Sequence, residues 1–416
     1  MTTMLEKICT QAAPWFAMAA MAFSLCFLLY RYFIARPPAL PEADKGGHLL
    51  VHALIWFSVS RLIVLLSVVI YAAMEGDLSF VLEHWKSYWI RWDAPHYLGI
   101  AENGYVTEGD PRFHIVFYPL YPFLVACIRW IFGGNTAVAA CVLSNACLLA
   151  AGWVLAEAVR LRQGSLPAKQ ALRLMMLCPY SVFCSTAYTE ALFLLLCALA
   201  VLLARRGKFG WAILAGALAA NCRMPGVLTA VPIFYEMLRK AREDARPARS
   251  ICLSILKVCG VLLGLAAYIG INYAVTGDPF RFLLYQKEHW GQQLGLVWDT
   301  FRYTVVNAFS YDAASWRLYT WIPQAICMLL IFVLLAASAP RRIYPGDGAF
   351  LWLYVCIALG TTWLLSGPRY LAGCWALYPA LVSVLPGKWT HRVLCTAFAV
   401  LLGYLSIVYA LRGWLL

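Results

Sequence analysis

Apolar stretches of roughly twenty residues recur along nearly the whole chain, and this pattern leaves few folds open. About 20 apolar residues are what an α-helix needs to cross a bilayer core. A water-soluble fold of 416 residues would have no place to hide a chain that is 63% hydrophobic and only 13% charged. The runs fall near 12–34, 49–73, 116–132, 135–159, 171–187, 190–204, 209–222, 225–238, 251–275, 318–338, 349–365, 370–385 and 392–411. They predict an all-α polytopic membrane protein, with about 11–13 transmembrane or re-entrant helices in one integral membrane domain over 1–416. The first run is long for a signal-peptide core and lacks a small-residue cleavage pattern, so it is expected to be retained as a span.

A net charge of +13 invites thoughts of nucleic acid, but its distribution argues otherwise. The bases gather in short loops: Arg160, Arg162, Lys169 and Arg173; Arg205, Arg206 and Lys208; Arg239, Lys240, Arg242, Arg246 and Arg249; Arg341 and Arg342. That is the positive-inside signature of cytoplasmic loops. No basic stretch is long enough, or interleaved with aromatics, to track a nucleic acid. The fifteen cysteines lie mostly inside apolar runs and form no CxxC pair. They read as small hydrophobes, with no disulfide framework or metal site.

Two long hydrophilic stretches differ from the basic loops. Residues 74–115 carry Glu75, Asp77, Glu83, Asp93, Glu102, Glu108 and Asp110 against Lys86, Arg91 and Arg112, and 276–317 is mixed in charge and rich in aromatics. Both are expected on the outer face, lumenal or periplasmic. The stretch 116–159 must then cross an odd number of times to reach the basic loop at 160–173. Pro119 and Pro122 point to a re-entrant or broken element at 116–132, with a third crossing as the alternative.

Within the first hydrophilic stretch, Val81, Leu82, Trp85, Trp89 and Trp92 recur at three- and four-residue spacing, the pattern of a helix lying along the interface. Asp93 follows. With Pro95 behind it, Asp93 reads as an N-cap that would put His96, Tyr97 and Ile100 on its face, and Gly104 reads as the stop. On local sequence alone the cap is the simpler role. The alternative is a general base: a carboxylate partly desolvated at the interface, placed to take a proton from a hydroxyl. Glu102 and His96 match no compact metal-ligand spacing.

Two further polar interruptions stand out. Cys178–Glu190 (CPYSVFCSTAYTE) is a notch between apolar runs that places Tyr188 and Glu190 near the outer face. Arg223 in Asn221-Cys-Arg-Met-Pro-Gly226, and Arg369 in Ser366-Gly-Pro-Arg-Tyr370, are cations at the end opposite the basic loops. Such a cation needs an acidic side chain or a lipid phosphate.

Taken in order, Trp92-Asp93-Ala-Pro-His96-Tyr-Leu-Gly-Ile-Ala-Glu102-Asn-Gly104-Tyr105, Phe117-Tyr-Pro-Leu-Tyr-Pro122, Pro179–Phe193 and Arg223-Met-Pro-Gly226 resemble the PIG-V type mannosyltransferases. That is the family of the second mannosyltransferase of GPI-anchor assembly and its bacterial relatives. The match covers about 88–228. The resemblance implies a C-type glycosyltransferase (GT-C) with its site at the outer face, no cofactor, and inverting hexosyl transfer to a hydroxyl. Its implied donor is a polyprenyl (dolichyl-type) phosphate sugar, and its implied acceptor a glycan or glycolipid. It assigns Asp93 as the base, with Trp92, His96, Glu102, Tyr188, Glu190, Arg223 and Arg369 around the substrates and the arginines facing the lipid phosphate. Phe117-Tyr118, Cys178 and Met224-Pro225 depart from the usual pattern, which bears on the acceptor and the sugar. A bacterial inner membrane is expected, or the endoplasmic reticulum in a eukaryote. The competing class is a transporter or flippase of a lipid-linked or small polar substrate, which predicts ionisable residues at mid-membrane and paired broken helices.

Overall fold

The computed structural model describes residues 4–35, 48–77, 79, 83–244, 246–340 and 343–411. Val81, Leu82, Arg341 and Arg342 therefore lie outside the described residues. Among those described there is no strand, only an isolated bridge between Leu294 and Thr361.

The first half runs α1 (Met4–Leu29), a π-helical turn (Tyr30–Ile34), α2 (Leu49–Met74), α3 (Trp85–Trp89) and α4 (Ala94–Asn103). A 3-10 turn (Asp110–Val116), α5 (Leu120–Ile128), α6 (Thr136–Gln163), α7 (Ser165–Met176) and a second 3-10 turn (Pro179–Ser185) follow. Next come α8 (Glu190–Arg205), α9 (Phe209–Cys222), a third 3-10 turn (Met224–Thr229) and α10 (Ala230–Ala241). The second half adds α11 (Pro247–Val258), α12 (Leu263–Thr276), α13 (Arg281–Trp290), α14 (Val297–Ser310) and α15 (Ala314–Trp316). It closes with α16 (Ile322–Ser338), α17 (Pro345–Leu359), α18 (Gly367–Ala372), α19 (Leu377–Val384) and α20 (Lys388–Ala410).

Among the described residues, six helices are long and apolar enough to cross a membrane, and two sharply bent pairs raise this to as many as eight. This is an all-α polytopic membrane protein. The remaining pieces of the expected eleven to thirteen are short helices such as α9 and α17. Burial explains their brevity. The span Pro247–Thr276 buries only 11% of its most apolar window, whereas Thr136–Gln163 buries half. Residues of α8 and the 179–185 turn are mostly buried. Broken backbone is tolerated at membrane depth only where protein covers it, so the proline breaks at Pro179 and Pro225 sit inside.

The stretch 116–159 opens with a sharp bend. The 110–116 turn and the 120–132 helix bend by 110°. Both arms stay at one end of the bundle: Phe117 stacks on His96, and Arg129 reaches the carbonyl of Ala101 at 3.5 Å. The bent pair is a broken or re-entrant element packed against α4, and α6 is the long helix that follows it. Asn135 caps α6, its side chain accepting from the Val138 N–H at 3.2 Å.

The bundle thus has two ends. At one, the basic loops meet: Arg31 donates to Ala339 O, and Arg162 pairs with Glu236. At the other, the two long hydrophilic stretches touch, with Phe113 stacked on His289 at 4.3 Å and Phe117 edge-on to Trp290 at 5.7 Å. The expected interfacial helix stops earlier than its periodicity suggests, before Trp92. Among the described residues of 83–92, Trp85–Trp89 is helical, and Ile90 is already extended (φ −105°, ψ 96°). The chain turns inward there, and Trp92 packs on Tyr409 and Phe183 instead of lying along the surface.

Candidate active site

Trp92 has φ 48°, one of two positive-φ non-glycine residues described. For a bulky residue this conformation costs free energy and persists only when the surroundings enforce it. Here the ring is held against Tyr409 at 4.9 Å. The kink aims the next residue, Asp93, into the bundle. Asp93 stands at the N-cap position of α4, as its sequence suggests, with Pro95 in the first turn and Gly104 at the end. Its carboxylate makes no capping bond, however. Its Oδ2 lies 2.9 Å from Nη2 of Arg369, and the side chain keeps 28% exposure. The helix is positioned by the residue's backbone, which leaves the carboxylate free for other work.

Arg369 joins two acids. Besides Asp93 it approaches Oε1 of Glu190 at 3.3 Å, and Arg223 reaches the same oxygen at 2.6 Å. Glu190 opens α8, where the helix dipole favours negative charge. Its Oε2 is buried with no hydrogen-bond partner among the described residues. Arg223 sits between α9 and the 224–229 turn in extended conformation, and Thr189 Oγ1 is 3.4 Å from its Nη1. The turn can fold back so closely because residue 226 is glycine. A Cβ there would sit 2.1 Å from the Ala219 carbonyl carbon.

Aromatic faces surround the cations. Arg369 lies over Tyr188 at 5.2 Å, Tyr370 at 5.3 Å and Phe183 at 5.4 Å, and Arg223 over Tyr370 at 5.2 Å. Such stacking favours guanidinium groups withdrawn from water. Four segments far apart in the chain thus supply two acids and two arginines to one site, with no net charge.

Not every expected residue reaches this cluster. Tyr188 does, but its hydroxyl is spent on the carbonyl of Arg91 at 2.8 Å, so it supports the site as a wall and an anchor. His96 lies one turn above Asp93, its Nδ1 2.9 Å from Nε2 of His114 and its ring stacked on Phe117. Burial pulls its pKa below the ordinary histidine value, with His289 acting in the same direction and Asp93 opposing. The imidazole is therefore neutral near pH 7. Glu102 is exposed at the far end of α4, away from the cluster, because nine residues of helix separate it from Asp93.

Tyr97, expected on the Asp93 face, packs edge-on to Tyr121 and Tyr188, its hydroxyl kept neutral chiefly by burial, with Arg223 opposing and Asp93 and Glu190 assisting. Other contributors escaped the sequence reading. His114 pairs with His96. Arg61 of α2 binds Ser181, through both Oγ at 2.9 Å and O at 3.1 Å, and also the hydroxyl of Ser185, pinning the 179–185 turn. One signal was available: Arg61 is the only Lys or Arg in the apolar run 49–73. Among the described residues, no group of three or more His, Cys, Asp or Glu is arranged to hold a metal.

A family model of mannosyltransferases (PIG-V) matches residues 62–276, more than half of the chain. The chain belongs to the PIG-V mannosyltransferase family. It is 28% identical over 207 residues to mouse GPI alpha-1,6-mannosyltransferase 2, a match covering 47% of this chain and 39% of the mouse protein. The rat protein of the same name is 31% identical over 207 residues, covering 45% of this chain and 41% of the relative. The match spans about two fifths of the length of these curated relatives. No solved structure matches. Within this PIG-V family chain, Asp93, Glu190 and Arg223 fall inside the matched region, and Arg369 comes from outside it.

Proposed function

We propose that the chain transfers a hexose, with mannose as the family's sugar, from a polyprenyl-phosphate donor to a hydroxyl of a glycan or glycolipid, inverting the anomeric centre. The observation that carries this reading is the uncapped, partly exposed carboxylate of Asp93, oriented by Arg369 beside a second arginine. A general base must come within hydrogen-bond reach of the proton it removes, about 2.6–3.2 Å. Asp93 accepts that proton as the acceptor oxygen bonds to the anomeric carbon. The bond from that carbon to the phosphate oxygen breaks on the opposite side, and the phosphate leaves with the electron pair.

Arg223, at 17% side-chain exposure against 7% for Arg369, is the cation more open to an arriving phosphate. Its role is to stabilise the charge that develops on the leaving group. Arg369 keeps Asp93 in place. Trp92 and His96 border the acceptor side, and Tyr188 and Glu190 back the arginines. The relatives' names carry an α-1,6 linkage, and a primary sugar hydroxyl is the acceptor we set against Asp93. The basic loops at the opposite end support an outer-face site by the positive-inside rule.

The test is a transfer assay on the purified full chain with polyprenyl-phosphate mannose and a panel of glycan and glycolipid acceptors. The product's new bond should have the anomeric configuration opposite to the donor's. Transfer with retained configuration would remove the single-displacement mechanism. No transfer from any lipid-phosphate donor, with net movement of substrate across vesicles, would favour a transporter.

A further inference from the structure

At the basic end, far from Asp93, lies a second feature that the proposed reaction does not use. A cavity of about 440 Å³ opens between α1, α10, α11 and α17, within the size range of ligand sites. Its wall is apolar, with Leu25, Phe33, Val231, Phe234, Val258 and Leu353 among the lining residues. From Leu25 to Phe33 along α1 is eight residues, so the groove extends for about 12 Å along that helix. A groove of that length lined by apolar side chains suits a hydrocarbon chain.

Its mouth is cationic. The α1 helix ends there in a π-helical turn, Tyr30–Ile34, a local widening that is rare and often functional. Arg242, just past α10, donates to the carbonyls of Tyr32 and Phe33 in that turn. Arg31 within the turn donates to Ala339 O at 2.9 Å. Each guanidinium carries five N–H donors, so both keep donors beyond these carbonyl contacts. Neither arginine is in an ion pair with a carboxylate among the described residues. The acids next to Arg242 are Glu243 and Asp244, both exposed, and Asp244 is hydrogen-bonded to Ser250. Glu236, on α10, is occupied by Arg162 and Arg239. Exposed Arg246 adds further positive charge nearby.

We infer that this groove binds an acidic glycerophospholipid of the leaflet at the basic end, one acyl chain between α1 and α11 and the phosphate on Arg242 and Arg31. Basic pockets between helices at the cytoplasmic side are suited to anionic headgroups. The inference is independent of the transferase reading, since no residue of the Asp93 cluster takes part.

The test titrates the purified full chain in detergent with dioleoyl phosphatidylglycerol and, separately, dioleoyl phosphatidylcholine, counting bound lipid by native mass spectrometry. Phosphatidylglycerol should bind about five- to thirtyfold more tightly, the gain expected from one or two surface cations. Arg242→Gln should remove that preference, Arg242→Lys should keep most of it, and exposed Arg249→Gln should leave it intact. If Arg242→Gln does not fold, Arg31→Gln carries the same readout. Val231→Trp, which fills the groove, should weaken binding of both lipids. Equal binding of the two lipids by the unmodified chain would overturn the proposal, as would an unchanged preference in Arg242→Gln. Glycerol 3-phosphate binding as tightly as the phospholipid would also overturn it, because the groove would then have no part.

Discussion

Two buried ionic clusters occupy the two ends of the same helices, and they differ in one respect. Glu190 begins α8 and Arg205 ends it, fifteen residues or about 22 Å apart. At the basic end Arg162 grips Glu236 through two bonds, of 2.8 and 3.0 Å, and Arg205 pairs with Asp347. Those four side chains are 0–4% exposed. At the loop end, Asp93 and Arg223 keep 28% and 17% exposure while Glu190 and Arg369 are sealed. The chemistry is the same: carboxylates, guanidinium groups and tyrosine rings. Accessibility separates a cluster sealed between helices from one that is partly open.

The comparison is most exposed to failure in paired substitutions. Arg369→Met leaves two acids without their shared cation, which should cost about 3–5 kcal/mol of stability and abolish turnover. Arg205→Met should cost a similar amount by thermal or denaturant unfolding, with turnover of the folded fraction nearly unchanged. Second substitutions sharpen the contrast. Adding Asp347→Leu to Arg205→Met should recover most of the stability, because replacing a buried pair by apolar side chains is often neutral. Adding Asp93→Leu to Arg369→Met should recover folding without activity. If activity returned as well, the two clusters would be alike.

Smaller effects probe the support around the site. Tyr188→Phe removes one hydrogen bond to Arg91 O and should cost about 1 kcal/mol in unfolding experiments, with a modest loss of turnover. The smallest effect concerns pH. The pKa of His96 is lowered in the folded chain, chiefly by burial. The unfolded chain therefore takes up a proton first as pH falls below about 6.5, and the native state loses stability there. Melting curves of His96→Gln should lose part of that acid sensitivity; an unchanged slope would place the sensitivity elsewhere.

Much of this was legible in the sequence because charge is rare in so apolar a chain. Asp93 and Glu190 stood out as acids at polar interruptions, Arg223 and Arg369 by their placement against the positive-inside trend, and the fold class followed from the apolar runs. The prolines at 119 and 122 marked the broken or re-entrant element. What could not be read was pairing. Arg223 and Arg369 read as cations in need of an acidic side chain or a lipid phosphate, and in the folded chain both lean on Glu190, which the sequence did not name as their partner. Such contacts depend on tertiary packing, which periodicity does not encode. The tryptophan spacing at 85–92 predicted a longer surface helix, and the inward turn at Ile90–Trp92 overrode it. Glu102 shared a motif with Asp93 but not a location, since a helix separates them.

The most direct measurement is the single-turnover transfer rate of Asp93→Asn beside the unmodified chain, with a melting curve for each. Loss of a positioned general base predicts a fall of about 10²–10⁴-fold in rate, with the melting transition largely retained because Asp93 is the most open member of its cluster. Equal transfer rates in the two proteins would remove Asp93 from the chemistry and contradict the assignment of the loop-end cluster as the active site.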